Sequence, residues 1–343
     1  MPPETPAPPS THSADPPDAP LQVAPSARTA EPMADLLGLL SCHAAVAASR
    51  LGVFDVLGEG PMGLREVAER TGAAVEPLRH LLEALVAAGY LACENGRYSE
   101  RSGAVEVRGH WGAVLGLWTA LAAGPWQGLA EAVRSGEPDG SFYRWLDGRP
   151  AERHGFHRLQ EGLAAGLAAA LTLPEGARTL LDVGGGTGTF SRVLCARHPE
   201  LRATVVDLPS VVADAALPER VTGRGADLGR PGAITERGQD VVLLCNVLHG
   251  FPSERARALV AEAVAALTPG GTLLILESDP DPRGPEALAF QRFFDLNLWH
   301  TQGGRLHPPA ALAAWAVEAG CAVRLAELPE HPAHLLLTAR AAP

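Results

Sequence analysis

The chain of 343 residues has no lysine, so all 28 of its Lys-plus-Arg positions are arginine, against 39 Asp and Glu, for a formal net charge of −11. An acidic surface repels phosphate, which sets nucleic acid aside as a main partner. The lysine deficit, beside abundant Ala, Arg, Gly and Pro, marks a GC-rich coding bias and says nothing of function. Cysteine is scarce too. Cys42, Cys93, Cys195, Cys245 and Cys321 are scattered, odd in number and without a C-x-x-C pair, which excludes a disulfide framework and leaves reduced core thiols. No uninterrupted apolar run is long enough to span a bilayer, and the start lacks a basic region followed by an apolar one. The expectation is a cytoplasmic protein with no membrane partner, long enough for one large or two modest domains.

What the chain does hold is a glycine-rich turn. A short apolar run at residues 179–183 meets glycines at 184, 186 and 188, and Phe190-Ser191-Arg192-Val193-Leu194 continues with helical character. The pattern predicts strand, tight turn and helix. Glycine admits positive φ and lets backbone N–H groups approach a ligand. The dinucleotide fingerprint is not met, because no glycine stands where its last one belongs. Asp182 suits a cationic ligand and would repel a pyrophosphate. Asp207, ending the next strand, can accept both hydroxyls of a ribose. Together they resemble the class I S-adenosylmethionine-dependent methyltransferases, whose signature is acidic-x-G-x-G-x-G.

Before that motif the chain divides by composition. Residues 1–30 are rich in Pro, Ala, Ser and Thr and read as a disordered tail. From Met33 the apolar helix through Leu36, Leu37, Leu39 and Leu40 is too greasy for a solvated face, and a homodimer interface is its expected partner. Two short helices around Thr71-Gly72 and a hairpin at Glu94-Asn95-Gly96-Arg97 predict a winged-helix domain over residues 31–104. Its Arg65, Arg70, Arg79 and Arg97 are outnumbered by Glu66, Glu69, Glu76, Glu83, Glu94 and Glu100. That balance favours dimerisation over DNA binding, and a non-catalytic winged-helix binding protein is the minor alternative. Residues 105–172 are helical, and Trp111, Trp118, Trp126, Phe142, Tyr143, Trp145, Phe156 and His157 offer the floor and walls of a substrate cavity. Over residues 173–343 strands at 179–183, 203–207, 240–245, 272–277, 321–325 and 334–338 alternate with helices. The fold class is therefore α/β, with a mostly parallel sheet and ligands at the carboxyl ends of its strands.

Asp227-Leu228 reads equally as an adenine contact or a solvated turn. Asn246 and Leu248-His249 close the fourth strand, the edge expected nearest the substrate. Here the chain resembles, from about Met33 onward, the homodimeric small-molecule O-methyltransferases of plants and bacterial natural-product pathways. The resemblance rests on residues 181–188, Val206-Asp207-Leu208-Pro209, Asn246-Val247-Leu248-His249, Pro269-Gly270-Gly271 and Gly303-Gly304. It implies a Rossmann-like methyltransferase domain behind an α-helical winged-helix dimerisation domain, with S-adenosylmethionine bound by Asp182, Gly184, Gly186, Gly188, Asp207, Leu208, Asp227, Leu228 and Asn246. It also implies that His249 is a general base for a phenol and that Glu277 steers it.

Three departures look related. Gly250-Phe251 replaces the usual Asp and aromatic, Leu306 stands where a second steering glutamate belongs, and Trp299-His300 lies on a helix that is ordinarily apolar. Two imidazoles, His249 and His300, then suggest a transition metal such as Zn or Fe chelated by an α-keto acid. The favoured expectation is metal-assisted methylation of the β-carbon of a hydrophobic or aromatic α-keto acid, resembling C-methyltransferases that make nonribosomal peptide precursors. O-methylation of a phenolic natural product, with His249 as base, is the alternative.

Overall fold

The computed structural model describes residues 30–343; the expected N-terminal tail lies outside them. A helix, Pro32–Arg50, begins the described chain and buries only Ala45, Val46 and Ala48. Met33, Leu36, Leu37, Leu39 and Leu40 are all about half exposed or more, as the sequence pattern predicts for a face awaiting a partner. By length and composition this helix could cross a membrane. Its apolar character is broken in sequence by Asp35, Ser41 and His43, so it does not stand out as one continuous run.

Helices Leu64–Thr71 and Val75–Ala87 follow, with strand β1 (Met62–Gly63) and the hairpin of β2 (Leu91–Glu94) and β3 (Arg97–Glu100). The small sheet runs β1-β3-β2, all antiparallel. Asn95 and Gly96 make the turn, both at positive φ, as an Asn-Gly hairpin requires. Phe54, Leu57, Val67, Leu78, Leu82, Leu85 and Leu91 pack into one core beneath it. Arg70, Arg79 and Arg97 are ion-paired to Glu59, Glu76 and Glu66.

The larger domain carries seven strands: β4 (Thr179–Val183), β5 (Arg202–Asp207), β6 (Val221–Gly225), β7 (Gln239–Cys245), β8 (Leu267–Ser278), β9 (Cys321–Glu327) and β10 (His334–Ala341). Their order is β6-β5-β4-β7-β8-β10-β9, parallel except for β10, which runs antiparallel to both neighbours. Alternate residues serve opposite faces because side chains alternate along a strand. Leu181, Val183, Val242, Leu244, Leu273 and Ile275 pack under helices Ser253–Ala266 and Pro309–Glu318. Leu180, Val241, Leu243, Leu274 and Leu276 face Leu167, Leu171, Phe190 and Leu194 on the other side. β7, which carries Asn246 and His249 at its carboxyl end, is the central strand, with β4 and β8 both paired to it in parallel.

Candidate active site

The glycine turn after β4 sits at the carboxyl end of the sheet. Gly184, Gly186 and Gly188 all have positive φ, at 70°, 58° and 78°, a region that L side chains avoid. Gly184 has a second reason to lack a side chain: a Cβ there would lie 2.3 Å from Cγ2 of Val247. Around Gly186, by contrast, nothing lies within 4 Å of where a Cβ would be. That open position is where a ligand can approach the backbone.

Asp207 faces this turn. Its Oδ2 accepts the Gly186 N–H at 2.8 Å and its Oδ1 the Leu208 N–H at 2.7 Å. Burial raises its pKa, while the two amides pull it back. A second lone pair on each oxygen stays available for hydroxyl donors. Asp182 differs from expectation. Its carboxylate was to face a cationic ligand, yet it is fully buried, with Oδ2 accepting the Ser191 hydroxyl at 2.7 Å and Oδ1 unpartnered. Gly185 lies against it so closely that a Cβ there would stand 2.5 Å from Cγ. Asp182 thus braces the turn from beneath. Burial, opposed by Ser191, raises it to about 6.

Of the two readings of Asp227, the structure favours the turn. The residue is exposed, its Oδ1 accepts the Gly229 N–H at 2.9 Å, and Arg230 pairs with its Oδ2. Leu228 is buried, and its Cδ1 would lie 3.5 Å from a Cβ on Gly184. Asn246 takes φ of 51° and donates its N–H to the Leu276 carbonyl at 2.7 Å, leaving its Oδ1 buried without a partner. A left-handed asparagine is the sort of strained residue that concentrates at functional sites. Here it turns the chain sharply out of β7 toward His249.

His249 rides on a short 3-10 turn, Leu248–Gly250. Its Nδ1 lies 2.6 Å from Oε2 of Glu277, while Oε1 of the same carboxylate accepts the amides of Val247 and Leu248 at 2.9 and 2.7 Å. A carboxylate can only accept, so the neutral ring carries its proton on Nδ1 and keeps a lone pair on Nε2. Burial pushes the Glu277 carboxyl up, but His249, the Leu248 amide and His307 together leave it lowered. Gly304 closes the back of the site. A Cβ there would stand 2.1 Å from the His249 carbonyl oxygen, which accepts the Arg305 N–H at 2.9 Å.

A run of rings leads up to His249. Trp126 meets Trp118 edge-on at 6.1 Å, Trp118 meets Phe290 at 6.0 Å, Phe290 stacks on Phe294 at 6.0 Å, and Phe294 meets the His249 ring at 5.6 Å. Sequence reasoning named the two tryptophans but missed Phe290 and Phe294. Their i, i+4 spacing on helix Pro285–Gln302 was the available signal. It also missed Asn297, whose Oδ1 accepts the Trp126 indole N–H at 2.9 Å. Phe142, Trp145 and Phe156 pack with Leu117, Leu121 and Leu146 in the core cluster that Trp118 and Trp126 also join, and Trp111 and Tyr143 are about half exposed.

In the expected metal pair, His249 and His300, each ring has one nitrogen in a hydrogen bond to protein. His300 is buried and its Nε2–H donates to the Pro125 carbonyl at 2.9 Å, so that nitrogen cannot ligate. Its Nδ1 is buried without a partner. His249 likewise has Nδ1 committed to Glu277. Among the described residues no three His, Cys, Asp or Glu side chains are grouped to hold a metal ion. Each ring thus keeps one nitrogen outside these hydrogen bonds, His249 Nε2 and His300 Nδ1, and no third protein ligand among the described residues joins them.

The model of the O-methyltransferase domain matches residues 126–322, and that of the O-methyltransferase dimerisation domain matches residues 33–104. The chain is 30% identical to the 3-hydroxy-5-methyl-1-naphthoate 3-O-methyltransferase of Streptomyces sahachiroi, over 83% of this chain and 87% of that one. It is also 30% identical to the mitomycin biosynthesis 6-O-methyltransferase of Streptomyces lavendulae, over 84% and 87%. The solved mitomycin 7-O-methyltransferase MmcR superposes with a TM-score of 0.74 at 26% identity, covering 90% of this chain and 96% of that one. An α/β sheet of this order, a glycine turn facing Asp207, and a dimerisation domain ahead of them agree with these matches, and the chain belongs to the S-adenosylmethionine-dependent O-methyltransferase family.

Proposed function

We propose that this methyltransferase acts on a hydroxyl of an aromatic natural product, with His249 as general base. The observation that carries the reading is the 2.6 Å contact between His249 Nδ1 and Glu277, which leaves Nε2 free to take a proton beside the ring of Phe294. S-adenosylmethionine supplies an electrophilic methyl on a sulfonium. As the phenolic oxygen attacks that methyl, its proton passes to Nε2, and Glu277 stabilises the imidazolium that results. The O–CH₃ bond forms as the S–CH₃ bond breaks, leaving a thioether. Asp207 is assigned to the ribose hydroxyls, the backbone at Gly184, Gly186 and Gly188 to close approach of the donor, and Leu228 and Asn246 to the walls around it. The line of Trp126, Trp118, Phe290 and Phe294 suits a flat aromatic acceptor. Relatives named for naphthoate and mitomycin O-methylation support that class and a place in antibiotic biosynthesis.

The keto-acid reading needed two imidazoles sharing one cation. Nothing supports that cation: no third protein ligand joins the two rings among the described residues, and the naphthoate and mitomycin relatives are named for O-methylation. A homodimer is proposed from the dimerisation domain and the apolar face of Pro32–Arg50. Arginines tied to glutamates in the winged-helix domain speak against a DNA-binding role.

The test is incubation of the purified protein with S-adenosylmethionine and, separately, a hydroxynaphthoate, a hydroxyanthraquinone, phenylpyruvate and 4-methyl-2-oxopentanoate. Methyl gain on a hydroxyarene, read by mass spectrometry, is the expected result. Methylation confined to the keto acids would reject the proposal.

A further inference from the structure

His307 is a buried imidazole beside the active turn to which methyl transfer by His249 and Glu277 assigns no role. It is 3% exposed, and its ring meets Trp315 edge-on at 5.1 Å. Its Nε2 lies 3.1 Å from the carbonyl oxygen of Leu248. A carbonyl only accepts, so Nε2 is the protonated nitrogen and donates. The Leu248 carbonyl also accepts the Phe251 N–H at 3.0 Å, so both of its lone pairs are engaged.

That carbonyl belongs to the peptide joining Leu248 to His249. Rotating this peptide would swing the His249 Cα and with it the imidazole. The turn is therefore gripped from two sides. Glu277 holds the amides of Val247 and Leu248 and the His249 ring, and the segment after Gly303 holds the carbonyls, Arg305 that of His249 and His307 that of Leu248. Sequence expectation placed a second steering carboxylate in this segment, and Leu306 occupies its position. Leu306 donates its N–H to Oδ1 of Asp295 at 2.6 Å, which ties the segment to helix Pro285–Gln302, the helix bearing Phe290 and Phe294.

We propose, resting on the methyl-transfer function assigned to His249, that His307 is a positioning residue: its Nε2–H anchors the Leu248–His249 peptide and so sets the direction of the His249 ring, a task carried out on the backbone where a second carboxylate would act on the ring. The anchor needs a donor at the reach of Nε2. Glutamine puts an amide nitrogen at about that reach, asparagine falls short, and leucine fills the space without a donor.

The experiment compares His307→Gln, His307→Asn and His307→Leu with the unaltered chain by hydrogen–deuterium exchange of the peptide spanning residues 246–251. It adds S-adenosylmethionine binding by calorimetry and turnover of the hydroxyarene that the unaltered enzyme accepts. The Leu variant should exchange faster across this peptide and lose about tenfold in kcat, with S-adenosylmethionine affinity within about twofold. The Gln variant should restore both, and the Asn variant should resemble Leu. Equal kcat in Gln and Leu variants, or unchanged exchange at 246–251, would overturn the assignment. If the Leu variant does not fold, the Gln–Asn comparison decides by the same criteria. If the unaltered enzyme methylates no hydroxyarene, the proposed function fails, and the exchange data alone still decide whether His307 anchors the turn.

Discussion

His249 and Glu277 are joined twice over: the carboxylate oxygen Oε2 lies 2.6 Å from the imidazole Nδ1, and the partner oxygen Oε1 holds the Val247 and Leu248 amides leading into His249. One buried side chain thus sets the tautomer of the imidazole and the path of the backbone that carries it. A loss at Glu277 should therefore separate into an electrostatic part and a structural part.

Replacing Glu277 by Gln removes the charge but keeps an acceptor for the amides. With His249 as the base, kcat should fall about 10²-fold, with little change in melting temperature. Glu277→Ala should lose comparable activity and also melt several degrees lower, since two buried N–H groups lose their partner. Turnover assays and thermal melts on both variants separate the effects. Equal melting temperatures in Gln and Ala variants would contradict the backbone role.

Removing the imidazole of His249, the proposed base, should act on chemistry alone. His249→Phe keeps a ring against Phe294 and should lower kcat by about 10²–10⁴-fold. S-adenosylmethionine binding, measured by calorimetry, should stay within about threefold. A variant with more than a tenth of the original rate would show that another group takes the proton.

The two glycines of the turn should fail in different ways. Gly184→Ala collides with Val247 at a φ of 70°, so soluble yield and melting temperature should drop sharply. Gly186→Ala meets no neighbour at a φ of 58°; the left-handed strain costs about 1–2 kcal/mol, and the protein should fold. Its methyl group would occupy the open face of the turn, and S-adenosylmethionine affinity should weaken about tenfold or more. Unchanged affinity in folded Gly186→Ala would mean that the donor does not approach there.

Asp182 makes stability depend on pH in an unusual direction for a carboxylate. Burial raises it from 3.8 to about 6 against the pull of Ser191, so the folded state holds the proton more tightly than the unfolded chain does. The stabilising contribution is complete below about pH 4 and is lost as pH rises through about 6. Asp182→Asn keeps an acceptor for Ser191 and removes the buried charge. Without ligand, this variant should melt a few degrees above the parent at pH 7.5 and converge with it toward pH 4.5. Melting curves across that range test the sign, and a variant less stable at pH 7.5 would reverse it.

Chelation should leave turnover unchanged, because proton transfer from a phenol to His249 Nε2 calls for no metal. Loss of activity in EDTA, restored by Zn or Fe, would return the metal reading. His300→Ala should instead loosen the clasp on the Pro125–Gly128 turn and lower thermal stability by about 1–3 kcal/mol.

Much of this protein was legible before any coordinates. Strand periodicity, the glycines at 184, 186 and 188 and the Asn-Gly hairpin are local signals, because backbone sterics and side-chain alternation act within a few residues. They placed the α/β domain behind a winged-helix segment and put Asp207, His249 and Glu277 at strand ends. Local signals do not report which way a side chain points once the chain is packed. Asp182 lies beneath the turn against Gly185, Asp227 is satisfied by Gly229 and Arg230, and Phe290 and Phe294 complete the aromatic path to His249. Each of these outcomes depends on contacts between distant segments.

His300 shows that division most clearly. Its type and its helix were readable from the chain, and two histidines in one domain invite a metal. Which of the His300 nitrogens is engaged, and by what, was not readable: Nε2 finds the carbonyl of Pro125, 175 positions away. By itself the sequence determined the sheet and the donor turn, since these follow from short-range geometry, while the histidine–glutamate pair was implied by the family resemblance its motifs carry. The tertiary structure alone decided that His300 clasps Pro125 and that His307 reaches the backbone of the active turn, because hydrogen-bond commitments are settled only when remote segments meet.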